Sequence, residues 1–546
     1  MENKPNVVYF LVDDMGYGDV SCLNPRAGTA SGGRIATPQF DRLAREGMVC
    51  RDAHSSSAVC SPSRYGVLTG RYNWRSPLQR GIVSPYGPPL IDAARLTVGK
   101  LLQRHGYHCG AIGKWHLGMD WPFGSAGTQP GATAASSAWP SLADEDFLPP
   151  HRAGQPASAE LEATERQRAR WRDFFSRTIA GGPTTRGFDS YFGVDVPNWP
   201  PYCYIENDAT VGTPSEFLPA RLLGDNLASL PGPAMPYWHF EQLLPAFARA
   251  ADRYIAARAA ERQPFFLYLP MTSPHTPLSV NKRWIGASGL NNLYADLVME
   301  TDDVFGQVLD SLERHGVADD TLVIFTSDNG CAPYIGVDQM EGQGHHPSGG
   351  FRGYKSDAWD GGHRVPFIAR WPGVIEPGSS SDQLVCLTDL LATCADFLDQ
   401  PLPADAGEDS LSMLPLFRGG DPGGQGGQLI RDHVVHHSIS GKFAIRDRRW
   451  KLVLCPGSGG WTLDDAAAAR DGLPLVQLYD MQRDPAERHN LQAEHPAVVK
   501  EMVADLKRLV AAGRSTPGAE QSNDAAVDIW KADTLPGVDP AVFDDY

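Results

Sequence analysis

The residues best placed to do chemistry are Cys60-Ser-Pro-Ser-Arg64, which run on into Tyr-Gly-Val-Leu-Thr-Gly70. Pro62 suits a first helical turn, so Cys60 stands at the entry to a helix. Free N–H groups and the helix dipole favour anions there and lower a thiol pKa. Read alone, Cys60 is either a candidate cysteine nucleophile or an inert packed thiol. Two other segments put carboxylates at the ends of strands. Asn6 to Val12 is a near-continuous β-branched and aromatic run, typical of a strand buried on both faces, and it ends in Asp13-Asp14. Thr321-Leu-Val-Ile-Phe325 ends in Ser327-Asp-Asn-Gly330. Open α/β sheets bind ligands at such strand ends, although an Asp-Asp pair there also serves as a turn or a helix cap.

The elements that must position these residues alternate in type. Thr37-Pro38 followed by Phe40, Leu43 and Ala44 predicts a capped helix stopped by Gly47, and Thr97 to Arg104 predicts another. A short strand at Tyr107 to Ile112 runs into Gly113-Lys-Trp-His116, and a buried strand, Phe265 to Leu269, leads to Ser273-Pro-His-Thr-Pro277. Leu293, Leu297, Thr301, Val304, Val308 and Leu312 keep helical spacing. Strands alternating with helices predict an α/β fold with a large, mostly parallel central sheet flanked by helices. From Asp120 to Pro183 the composition turns to Ala, Ser and Pro with interspersed Trp, then to a charged helix around Glu160 to Arg177, which reads as an insertion with a solvated face. A Gly-rich stretch, Gly423 to Gly427, marks a boundary. Beyond it Phe443/Ile445, a turn at Asp447-Arg448 and Trp450 to Leu454 predict an antiparallel hairpin, followed by a helix from Ala497 to Ala512. The expected organisation is a catalytic domain over 1–418, with an insertion at about 120–183, and a smaller α+β domain over 428–546 with an antiparallel sheet, a helix and a tail.

Composition bounds the function. At 546 residues the chain can bury a large core, and its net charge of −17 offers no global field for nucleic acid or an anionic membrane. An anionic substrate must therefore be recognised locally. No run reaches the length of a membrane span. The expected location is cytoplasmic if the chain is full length, and periplasmic or secreted if a signal peptide has been removed. Nine Cys without a CxxC pair argue against a zinc site or a disulfide framework. The 56 Gly and 44 Pro point to many ordered loops.

Cys60-x-Pro-Ser-Arg64 with Leu-Thr-Gly-Arg71 resembles the signature of the type I, formylglycine-dependent sulfatases of the alkaline-phosphatase superfamily, and the resemblance runs from Pro5 to about Leu509. It implies an arylsulfatase-type sulfuric ester hydrolase of alkaline-phosphatase-like fold. In that family the cysteine becomes formylglycine, an aldehyde that hydrates to a geminal diol, through a formylglycine-generating enzyme that is a partner during maturation. The resemblance assigns a metal site to Asp13, Asp14, Asp328, Asn329 and residue 60, an all-oxygen set suited to Ca²⁺, with Mg²⁺ or Mn²⁺ as alternatives. Lys114 and His116 resemble the family's Gly-Lys-Trp-His segment; in an extended strand, positions two apart share a side, so both are expected to face one ligand with Trp115 packed behind. His275 and Lys355 resemble the family's second histidine and second lysine. With Arg64 these residues imply a locally positive site of about +2 once a divalent ion is counted.

The implied mechanism has a diol oxygen, steadied by Arg64 and relieved of its proton by His116, attack sulfur in line with the leaving oxygen. His275 or Lys355 protonates the leaving group, and the second hydroxyl lets the sulfate ester on residue 60 collapse. The substrate is an aryl sulfate or a sulfated saccharide. The alternatives are a phosphonate monoester or phosphodiester hydrolase of the same superfamily and, from another class, a non-catalytic glycan-binding relative. Trp199, Tyr202, Tyr204, Trp238, His345 and His346 are candidate substrate walls, with packing the favoured reading of each, Arg364 is structural first and site-lining second, the tail Gly518–Tyr546 is loose or crosses to a neighbour, and the oligomeric state is open.

Overall fold

The computed structural model describes residues 4–24, 33–123, 128–129, 141–142, 144–149, 161–223, 229–419 and 430–546. The Gly-rich stretch 423–427 and much of the expected insertion lie outside the described residues. The chain forms two compact units, Met1–Asp13 with Val83–Phe325 and Asp14–Ile82 with Thr326–Tyr546.

The first unit is built on parallel strands. Asn6–Val12, buried at every position, pairs in parallel with Phe265–Pro270, Val7 lying opposite Phe266. Phe265–Pro270 pairs in parallel with His108–Lys114, and that strand with Ser190–Val194, before Ile205–Glu206 and Ala209–Thr210 continue antiparallel. Strands buried on both faces need helices over them, and the sequence supplies two long ones, Leu243–Glu261 and Leu293–Arg314. Phe305 of the second helix meets Phe10 edge-on at 5.0 Å. Tyr254 of the first lies over Gly110, where a Cβ would come within 2.4 Å of its ring. The helix read from the charged stretch is Glu165–Phe175, with a capping box at Thr164. It is solvated on one side only: Arg166 and Arg170 pair with Asp144 and Asp146, while Trp171, Phe174 and Phe175 are buried.

In the second unit, Met48–Cys50 pairs in parallel with Ser379–Ser381 and antiparallel with Phe367–Arg370. Four strands, Val434–His437, Phe443–Arg446, Trp450–Val453 and Gln477–Asp480, form an antiparallel sheet in sequence order, including the expected hairpin. Helix Pro496–Ala511 closes on it through Val499, Met502, Val503 and Leu506, which share a core with Val435, Phe443, Leu452 and Leu478. The tail is neither loose nor spare. Ile529 and Trp530 join that core, Asp524 pairs with the buried Arg71, and Asn523 accepts from Arg75. Asp524 of the acidic tail thus helps neutralise a buried arginine, a role that composition does not reveal. Together the elements make a mostly parallel α/β sheet with flanking helices and a small antiparallel sheet. None of the cysteines is in a disulfide, and no helix among the described residues is long and apolar enough to cross a membrane.

Candidate active site

In the second unit, Cys60 is the first residue of helix Cys60–Thr69, which follows the extended Val59 and is buried along its whole length. Arg64 lies one turn on, on the same face. Its Nε donates to Asp328 Oδ2 at 3.0 Å and its Nη2 makes an ion-pair contact with the same oxygen at 2.8 Å, with both side chains fully buried. Asp14 has a left-handed φ of 66°, a region Asp enters more readily than most residues, and this breaks the alternation of the preceding strand. Its N–H donates to Asp328 Oδ1 at 3.2 Å, Asn329 Nδ2 donates to its Oδ1 at 2.8 Å, and Lys355 Nζ donates to its Oδ2 at 2.7 Å. Five of the expected residues, Asp14, Arg64, Asp328, Asn329 and Lys355, therefore form one bonded group. Asn329 Oδ1 is buried with no hydrogen-bond partner among the described residues. A buried amide oxygen without a donor, grouped with two carboxylates, fits a hard cation.

In the first unit, Asp13 follows the strand end, and its Oδ2 accepts from Lys114 Nζ at 2.7 Å, both residues fully buried. Lys114 is the last residue of its strand. The preceding Gly113 has φ 133°, and a Cβ there would sit 1.9 Å from Pro270 O, so only glycine permits this approach. The strand alternation expected to align Lys114 with His116 does not continue, because His116 has φ 52°. His116 is placed by other bonds: its N–H donates to Asp195 O at 3.0 Å and its Nε2 to Val83 O at 3.2 Å. That second bond sets the neutral tautomer with the lone pair on Nδ1. Trp115 packs behind as expected, 1 % exposed. His275 Nδ1 donates to Thr276 O at 2.6 Å. Each expected metal-site carboxylate thus has a cationic partner within its own unit.

Asp195 is a neighbour that sequence reasoning missed. It follows strand Ser190–Val194, burial pushes its carboxyl pKa up to about 6, and its Oδ1 has no hydrogen-bond partner among the described residues. The only signal for it in the sequence is an Asp after a strand, as common in turns as in sites.

A second missed group supports the Cys60 loop. Ser55 N–H donates to His363 O, and Ala58 N–H and Ser57 Oγ donate to His437 O, all at 2.8–3.0 Å. Beneath the loop His54, His363 and His436 bring ring nitrogens within 4.8 Å of one another. They do not make a metal centre: the rings of His363 and His436 stack at 3.6 Å and 10°, so their in-plane lone pairs cannot converge on one ion. Arg446, Lys451 and Arg364 already balance Asp52, Asp360 and Glu487 around them. Burial holds His54 neutral, with its pKa down to about 4 despite Asp52, and also drives His363 and His436 well below the ordinary imidazole value. Burial opposes ionisation of Asp52, yet the Arg364 and Arg446 guanidiniums prevail and keep it a carboxylate. Arg364 is structural, as expected, pairing with Asp52 and Asp360 and lying 4.4 Å over the Phe351 ring.

The candidate wall residues differ in burial. Tyr202 and Trp238 are buried, and His345 is fully buried against Asp19 at 2.8 Å, in line with the packing reading. Tyr204 stacks on Phe192 at 5.1 Å. Trp199, half-buried, meets His116 edge-on at 5.4 Å, and His346 is also half-buried.

Comparison with known proteins accounts for these segments together. The Sulfatase family model matches residues 5–400, and the model for the C-terminal part of N-sulphoglucosamine sulphohydrolase matches 355–514. The chain is 30% identical over 512 residues to the N-acetylgalactosamine-6-O-sulfatase of Bacteroides thetaiotaomicron, covering 91% of this chain and 92% of that one. It is 27% identical to human arylsulfatase A, covering 98% and 92%. A solved 6S-sulfatase structure from work on glycosaminoglycan metabolism by Bacteroides thetaiotaomicron superposes with a TM-score of 0.72 at 27% identity, covering 93% and 99% of the two chains. Buried carboxylate–cation pairs at strand ends, a cysteine opening a buried helix and these full-length likenesses agree: the chain belongs to the sulfatase family and is a sulfuric ester hydrolase.

Proposed function

We propose that this enzyme hydrolyses a sulfate monoester carried on a saccharide, using a formylglycine made from Cys60 and a divalent cation, Ca²⁺ in the first instance. The observation that supports it most is the buried group of Asp14, Asp328 and Asn329 with Arg64 one helical turn from Cys60, including an amide oxygen that lacks a donor. Asp13, Asp14, Asp328, Asn329 and residue 60 would hold the cation. A bound divalent cation lowers the pKa of an oxygen nucleophile and stabilises charge on the group being transferred. Formylglycine supplies two hydroxyls on one carbon when hydrated, one to attack sulfur and one to let sulfate leave.

The other steps fall to the chain's own side chains. Arg64, held rigidly by Asp328, fixes the position of residue 60 without taking up a proton. Lys114 and Lys355, each hydrogen-bonded to a carboxylate, turn toward sulfate oxygens when substrate brings its own negative charge. His116, with its lone pair on Nδ1, accepts the proton of the hydroxyl. His275 or Lys355 returns a proton to the departing sugar oxygen. The saccharide reading follows the 30%-identical relative, whose name specifies a sulfated sugar. Phosphonate monoester or phosphodiester hydrolysis is not favoured, because the sulfatase likenesses run through the whole chain. The test is the peptide mass across residues 51–71 of active protein, which should report an aldehyde or its hydrate at residue 60, together with sulfate release from a sulfated N-acetylgalactosamine. An unmodified thiol in fully active protein, or undiminished activity in Cys60→Ala, refutes the proposal.

A further inference from the structure

Two aromatic side chains of the second unit stand in solvent side by side. Tyr334 is 46 % and Trp461 is 47 % exposed, with ring centroids 6.1 Å apart and planes inclined by 41°. They are the only exposed aromatics in ring contact among the described residues. Exposed apolar rings on an otherwise polar surface favour a partner that covers them.

Both rings are tied by backbone to the loop that carries Lys355. Lys355 N–H donates to Cys331 O at 2.8 Å, and Tyr334 stands three residues beyond that buried cysteine. Trp461 N–H donates to Ser356 Oγ and to Asp357 Oδ1, each at 3.0 Å, and Thr462 N–H also reaches Asp357 Oδ1, at 3.2 Å. Gly460 makes this docking tight, since a Cβ there would lie 2.5 Å from Asp357 Oδ1 and from the Ser356 backbone. Lys355 itself is only 5 % exposed, its Nζ on Asp14. The residues that flank the buried lysine thus hold a rigid, solvent-facing pair of rings. Two rings are far too small a patch for a stable protein interface, which needs about 800 Å² per partner. They suit a flat ligand with one apolar face, presented at low entropic cost because each ring has only two torsions.

We propose that Tyr334 and Trp461 form a stacking platform for a sugar ring next to the sulfated one, so that the substrate is an oligosaccharide or polysaccharide rather than a free monosaccharide or a small aryl sulfate. This rests on the saccharide sulfatase reading above. The experiment compares kcat/KM for a tetrasaccharide bearing one sulfated N-acetylgalactosamine, for the sulfated monosaccharide and for 4-nitrophenyl sulfate. The enzyme is tested as wild type, Tyr334→Ala/Trp461→Ala and Trp461→Phe. The tetrasaccharide is expected to exceed the monosaccharide by about tenfold or more in wild type, the effect of covering one aromatic ring. In the double variant that ratio collapses toward one, and Trp461→Phe retains most of it. A ratio near one in wild type, or a ratio unchanged in the double variant, overturns the platform. If no substrate releases sulfate, the sulfatase reading fails by itself, and the platform is decided by titrating the unsulfated tetrasaccharide into the full-length protein. A fluorescence change that disappears in Trp461→Phe supports it, and the absence of any change overturns it.

Discussion

Replacing Arg64 by Met tests the electrostatic core of the candidate site independently of turnover. Arg64 donates from Nε to Asp328 Oδ2 and pairs with it again through Nη2 at 2.8 Å, and neither side chain is exposed. Two unit charges about 3 Å apart attract by roughly 5–6 kcal/mol at an effective dielectric constant of about 20, and most of that is offset by the desolvation of both ions. The intact pair therefore contributes little net stability, whereas removing one partner leaves a carboxylate buried without a counter-ion and is expected to lose about 3–5 kcal/mol. The Asp14 N–H bond to Asp328 Oδ1 survives and compensates only in part. Arg64→Met/Asp328→Asn removes both charges and should return to within about 1 kcal/mol of wild type, which makes the comparison a double-mutant cycle. The assay is urea unfolding in the presence of chelator, with midpoints compared at constant slope. Adding Ca²⁺ should stabilise Arg64→Met more than wild type, because the cation then supplies the missing positive charge. The reasoning is refuted if the single variant unfolds at the wild-type midpoint in chelator, or if the double variant is no more stable than the single one.

Two further outcomes follow from the same geometry. Asp195, 6 % exposed and raised from 3.8 to about 6 by burial, binds its proton more tightly in the folded protein. Its contribution should therefore fall by about 3 kcal/mol as pH rises from about 4 to 6, against the opposite slope of the buried neutral histidines, so the stability of Asp195→Asn relative to wild type should increase across this range; urea midpoints of the two proteins check it, and parallel profiles would count against it. Cys60→Ser offers one hydroxyl where the proposal needs two, so it should take sulfate from substrate once and keep it. Mass analysis of the peptide spanning 51–71 should then find a sulfate ester with no sustained release, and multiple turnovers would exclude the two-hydroxyl logic.

The sequence by itself was enough for the features carried by consecutive residues. Cys60-x-Pro-x-Arg64 opens a helix because Pro suits the first turn, and the runs Asn6–Val12 and Thr321–Ser327 are buried strands whose ends carry Asp13, Asp14, Asp328 and Asn329. Periodicity failed where a single torsion interrupted it, as at His116, whose left-handed φ removes the strand alternation that was to align it with Lys114. It also could not separate wall from core: Tyr202, Trp238 and His345 are buried, while Tyr334 and Trp461, unremarked in the sequence, are the exposed pair. Only the tertiary structure decided which polar group meets which. Asp328 and Arg64 lie 264 positions apart, Asp14 and Lys355 341, and His54 and His363 309. The physical reason is range. Helix starts and strand burial are set by neighbours within a few residues, whereas a buried ion pair exists only after folding has excluded water from both partners at once.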